Sequence, residues 1–129
     1  MQAVAEHKQI QSDLIPRIST GFCSGLARTG GMCGAVSGGI MAISLVMGRN
    51  SPAIDVDPCY QAVREFLARF TAQFGSVMCP ELTGVHLGTP EGQAEFRAKG
   101  QIEKCINYVG EATRLVVDII ATDDISMSS

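Results

Sequence analysis

The chain has 129 residues, 46% of them hydrophobic and 18% charged, with a formal net charge of −3; that length suits one domain with its own core, and the balance is too apolar for disorder. Acids and bases are interspersed, with no Lys/Arg run and no cluster of stacking aromatics, which argues against a nucleic-acid surface. The longest apolar run, Ala35 to Met47, is shorter than the roughly 20 residues of a membrane span, and the polar start Met1 to Lys8 has no basic-then-apolar export pattern, so no transmembrane segment and a cytoplasmic location are expected.

From Gln2 to about Ile18, the residues Ala3, Val4, His7, Ile10, Leu14 and Ile18 follow helical spacing, which puts His7 on a core-facing stripe. Pro16 limits or kinks this helix, or Asp13 caps a second short one; the sequence leaves both open. Ser19 to Met32 holds Gly21, Gly25, Gly30 and Gly31 among small residues, with Cys23 inside it, the composition of backbone that turns sharply.

Gly30-Gly31-Met32-Cys33-Gly34-Ala35-Val36-Ser37-Gly38-Gly39 then runs into an apolar segment, which predicts a loop turning into a helix with Cys33 near its first turn. Free backbone N–H groups and the positive end of the helix dipole favour a thiolate there, so Cys33 is the best candidate for chemistry. Gly30, Gly34 and Gly38 fall four apart and share a face if the helix begins early. Tight packing is the simpler reason for such glycines; room for a cofactor beside Gly31 and Gly34 is the sharper one.

Gly48 to Pro52 ends this helix, and Tyr60, Val63, Phe66, Leu67, Phe70 and Phe74 mark the next, with a phenylalanine stripe read as core and Gly75 as its stop. Cys79 lies at a junction before a turn opened by Pro80. His86 sits in the loop Thr83 to Thr89, and Thr89-Pro90 caps a short helix running to Lys99, punctuated by Gly100. From Gln101 to Ala121, Ile102, Cys105, Ile106, Val109, Ala112, Leu115, Val116, Ile119 and Ile120 repeat at helical spacing, and residues 122–129 read as a frayed tail. No alternating strand pattern is present. The expectation is a single all-α domain over 1–129, a small antiparallel bundle of about four to five helices around a central glycine-rich helix.

The five cysteines, at 23, 33, 59, 79 and 105, are odd in number, widely spread and nowhere spaced CxxC. A disulfide framework, a local zinc ribbon and a thioredoxin motif are therefore not expected. Cys59, just after Pro58 at a helix start, has no glycine loop and reads as incidental. Ser37 has no His/Asp arrangement for a hydrolase triad, and no phosphate loop is present.

The string Cys33-Gly34-Ala35-Val36-Ser37-Gly38, preceded by Gly21-Phe22-Cys23-Ser24-Gly25 and followed by Phe70, Phe74-Gly75-Ser76, Cys79-Pro80-Glu81-Leu82 and Cys105, resembles the C_GCAxxG_C_C family, which is named for redox activity. The resemblance covers nearly the whole chain. It implies a protein of similar size with four characteristic cysteines and no settled reaction. Cys33 matches the motif cysteine, Cys79 the one after the Phe-Gly-Ser segment and Cys105 the last. The family's first cysteine is expected upstream, in an Asn-Cys-Ala-Gln-Ala-Val-like segment that Met1-Gln2-Ala3-Val4 joins partway through, so the chain is expected to start just after it or to have lost it. Cys23 stands where the family more often shows glycine and Cys59 lies outside the pattern; neither inherits a role.

Three readings follow. In the first, Cys33 cycles between dithiol and disulfide with Cys79 or Cys105 and an unidentified redox partner, needing no cofactor. In the second, the same three cysteines hold zinc, copper(I) or an iron-sulfur cluster, with His7, His86, Cys23 or solvent as a fourth ligand. In the third, the cysteines are core residues of a structural helical protein, whose glycine face could also serve a homo-oligomer.

Overall fold

The computed structural model describes residues 1–128, with side chains through Thr122. Among them the chain forms seven right-handed α-helices: α1 (Gln2–His7), α2 (Leu14–Ser19), α3 (Gly34–Met47), α4 (Asp57–Phe74), α5 (Cys79–Thr83), α6 (Pro90–Ala98) and α7 (Ile102–Ser128). The all-α class is as expected. The helix number exceeds the four to five expected because the N-terminal segment and the stretch between α4 and α7 break into short pieces.

Three long helices carry the core. The glycine-rich α3 packs against both α4 and α7, and those two pack on each other. Val36 and Ile43 from α3, Phe66 and Phe70 from α4, and Val116 and Ile120 from α7 meet with almost no exposure. Gly39 permits a close α3–α4 approach: a Cβ there would fall 2.6 Å from Cε2 of Phe66. The glycines four apart do not form the packing face, because α3 starts only at Gly34. Gly30 lies outside it in the left-handed region, at φ 76°.

Of the two arrangements left open for Gln2 to Ile18, the second is found: α1 ends at His7 and a second short helix, α2, opens at Leu14 with Asp13 at its N-cap position. Gln9 turns left-handed (φ 59°), its N–H reaching the Glu6 carbonyl at 3.1 Å while the Ile10 N–H reaches that of Ala5 at 2.8 Å, a Schellman closure. This resets the register, so Val4, Ala5 and Ile15 are buried, whereas His7, Leu14 and Ile18 are exposed, contrary to the single-stripe expectation. Asp13 makes no side-chain cap; the Leu14 N–H goes instead to Ser12 Oγ at 3.2 Å.

Elsewhere the local signals hold. Gly75 ends α4 in the left-handed region at φ 86°. Thr89 Oγ1 accepts from the Gly92 N–H at 2.9 Å ahead of Pro90. Gly100, at φ 63°, closes α6, one residue short of the expected Lys99. Tyr60, Ile102, Ile106 and Val109, expected on core stripes, are exposed; Ile102 and Val109 line a cavity, while Tyr108 between them packs into the core. The backbone of α7 continues to Ser128. The expected fraying of 122–129 falls, from Asp123 on, outside the described side chains, and Ser129 lies outside the described residues.

Aromatic packing fixes the elements that matter for the site. Phe74 packs tilted against Phe70 at 4.8 Å and meets Tyr108 edge-on at 4.8 Å, joining α4 to α7. The Tyr108 hydroxyl donates to the Leu82 carbonyl at 2.8 Å and so ties α7 to the short helix α5. No helix among the described residues is long and apolar enough to cross a membrane.

Candidate functional site

Residues distant in the chain come together through one isolated antiparallel bridge between Met32 and Met78. The Cys33 N–H donates to the Val77 carbonyl at 2.8 Å and the Cys79 N–H to the Gly31 carbonyl at 2.9 Å. Because extended residues alternate faces, Cys33 and Cys79 project to the side opposite Met32 and Met78. Each cysteine also begins a helix. Cys33 is the N-cap of α3, its carbonyl accepting from Val36 at 2.9 Å and Ser37 at 3.0 Å. Cys79 is the first residue of α5, where Thr83 Oγ1 donates back to its carbonyl at 2.8 Å.

Cys105, in the first turn of α7, and Cys23 complete the group. Cys23, Cys33, Cys79 and Cys105 all line one cavity of about 470 Å³. A second cavity of about 350 Å³, between α1, α2, α3 and α7, shares Cys23, Gly34, Ala35 and Val109 with it. Burial pushes the Cys79 thiol up and the nearby Cys33 pushes it further, while a hydrogen bond from Thr83 pulls the other way. Burial likewise pushes the Cys105 thiol up, with Cys33 and Cys79 adding to it. Tyr108 is raised by burial and then by Cys105 and Cys33.

One lip of the cavity is the segment Cys23–Arg28, which winds left-handed: Ser24, Gly25, Leu26, Ala27 and Arg28 have φ of 55°, 66°, 56°, 57° and 67°. Such backbone costs a non-glycine residue roughly 1–2 kcal/mol. Gly25 anchors the segment, its carbonyl accepting from the Thr29 N–H at 3.3 Å and the Gly31 N–H at 3.0 Å. Thr29 Oγ1 also donates to the Leu26 carbonyl at 2.9 Å.

The five cysteines are free thiols. Among the described residues, no three His, Cys, Asp or Glu side chains are disposed to hold a metal ion. The sulfurs share a cavity without forming a ligand set. Of the fourth-ligand candidates, His7 is exposed on α1, and His86 accepts the Gly88 N–H at Nδ1 (3.0 Å) with its ring against Gly30. Gly34 lines the cavity, whereas a Cβ at Gly31 would meet Leu26 Cδ1 at 3.0 Å. Cys59 is half-buried against the core and does not line the cavity.

Four contributors escape the sequence pattern. Cys23 lines the cavity although the family pattern assigns it no role; its place among turning glycines was the available signal. Gly25 abuts Cys79. Arg28 and Arg97 reach the same cavity from separate elements, and no local feature of the sequence marks them.

No curated protein and no solved structure matches the chain. Residues 1–119 match the model of the family described as "Putative redox-active protein (C_GCAxxG_C_C)", and the chain, with four of its five cysteines on one cavity, belongs to that family.

Proposed function

We propose that the protein exchanges electrons by thiol–disulfide chemistry, with Cys33 as the attacking sulfur and Cys79 as the resolving one. The observation that carries this reading is the convergence of Cys33, Cys79 and Cys105 on one cavity, with the first two yoked by the 32–78 bridge. Cys33 sits where α3 begins, and no side chain caps that end. Developing negative charge is stabilised by the amides of such a turn. Cys79 and Cys105, pushed up by burial, are held as thiols at neutral pH.

In the forward direction the Cys33 thiolate attacks one sulfur of an organic disulfide. The new S–S bond forms as the old one breaks, and the departing thiolate takes a proton from solvent. Cys79 then gives up its proton and attacks Cys33 Sγ, releasing the second thiol and leaving a Cys33–Cys79 disulfide. The substrate gains two electrons and two protons, and the protein dithiol loses them. The reverse sequence oxidises a thiol pair.

The test is a thiol titration of the full chain, fully reduced and then equilibrated with an oxidised small-molecule disulfide. Wild type should lose two of its titratable thiols reversibly, with peptide mapping locating the bond at Cys33 and Cys79. Cys33→Ser should abolish that loss while leaving the helical circular dichroism nearly unchanged. A variant that still loses two thiols, or a wild type that loses none, would overturn the assignment.

A further inference from the structure

We propose that the thiol cavity selects an anionic organic thiol or disulfide, an apolar body bearing a carboxylate or a comparable acid, held at the mouth by Arg28 and Arg97. The inference rests on the thiol–disulfide reading above and adds the class of substrate.

Among the described residues, Arg28 and Arg97 are the charged side chains that line the cavity, and no carboxylate lines it. Neither guanidinium has an ion pair or a side-chain hydrogen bond among the described residues, in contrast to Arg69 and Arg114, which pair with Glu65 and Glu111 on their own helices. The chain is acidic overall, at −3, so two unneutralised arginines lining one cavity make a local reversal of sign. They come from independent elements: Arg28 ends the left-handed lip and Arg97 lies in the last turn of α6.

The rest of the wall sets the body of the ligand. Leu87, Phe96, Ile102 and Val109 line the same cavity as the arginines and the sulfurs. A cavity of about 470 Å³ is the size of a small-molecule site, too small for a folded partner. Guanidinium forks match carboxylates bidentately and stay charged at every physiological pH. The arginines would therefore hold the acid group while the disulfide reaches Cys33. The exchange step is the one already written, the bound anionic disulfide being the oxidant and leaving as two thiols.

The experiment compares two aromatic disulfides of similar size on the full-length reduced protein in a Cys59→Ser background, so that the released chromophore reports the cavity sulfurs. Dithiobis(nitrobenzoate) carries two carboxylates; dithiodipyridine carries none. The ratio of their initial rates should fall about tenfold in Arg28→Gln/Arg97→Gln, the order of effect that charges at a binding mouth exert on association. Arg64→Gln, on α4 and outside the cavity lining, should keep the wild-type ratio. Should the double variant fold poorly, a salt series on the Cys59→Ser protein alone decides: the ratio must fall as salt rises. A ratio indifferent to both the arginines and salt overturns the substrate class and leaves the thiol chemistry standing. Failure of either reagent to generate a protein disulfide overturns the thiol reading itself.

Discussion

Gly25 and Cys79 are packed so closely that a Cβ on the glycine would stand 2.6 Å from Cys79 Cβ and 3.2 Å from its sulfur. The same glycine is left-handed, at φ 66°. Gly25→Ala is therefore expected to lose about 2 kcal/mol from backbone strain and crowding together, and to displace Cys79 relative to Cys33. A lowered denaturation midpoint, with a slowed second thiol-exchange step, is the expected pair of readings. Unchanged stability would mean the left-handed lip is not built as described.

Ala27 tests the lip from the opposite direction. It is exposed and left-handed at φ 57°, so its Cβ is a burden and nothing packs tightly on it. Ala27→Gly should stabilise the protein by about 1 kcal/mol, whereas the same change in a right-handed helix costs about that much. Equilibrium urea unfolding distinguishes the two signs.

Neighbouring glycines of α3 should respond oppositely. A Cβ at Gly38 finds only the Met1 nitrogen at 3.7 Å, an ordinary contact, so Gly38→Ala should gain about 1 kcal/mol of helix propensity. At Gly39 the side chain would run into the fully buried ring of Phe66, and Gly39→Ala should lose about 1–2 kcal/mol despite that gain. Thermal melts of the two variants that shift in the same direction would contradict the α3–α4 packing.

Alkaline stability follows from the buried thiols. The folded state raises the Cys79 and Cys105 pKa values above the ordinary thiol value, chiefly by burial. Their contribution is thus fully present below the unfolded value and is lost as pH rises through the folded one. The denaturation midpoint should begin to fall as pH rises past the ordinary thiol value, about 8.5, with Tyr108, raised in the same sense, adding to the loss at higher pH. Cys79→Ala/Cys105→Ala should flatten the decline. Parallel slopes in the two proteins would show that these thiols are not its cause.

The sequence by itself determined what short-range interactions decide. Helical periodicity separated Phe66, Phe70, Val116 and Ile120 as core, and the caps at Thr89, Gly75 and Gly100 fell where cap chemistry demanded. Cys33 at the head of the glycine-rich helix was legible for the same reason: a turn and a first helical turn are set by neighbouring residues. The tertiary structure decided the rest. Gly39 rather than the four-apart glycines meets α4, because the face a helix buries depends on where it starts and what approaches it. Cys23 joins Cys33, Cys79 and Cys105, and Arg28 and Arg97 line the same cavity without a carboxylate, through the meeting of segments far apart in the chain. No local pattern encodes such meetings; they follow from a single bridge at Met32 and Met78 and from three long helices that can bury their apolar faces together in few ways.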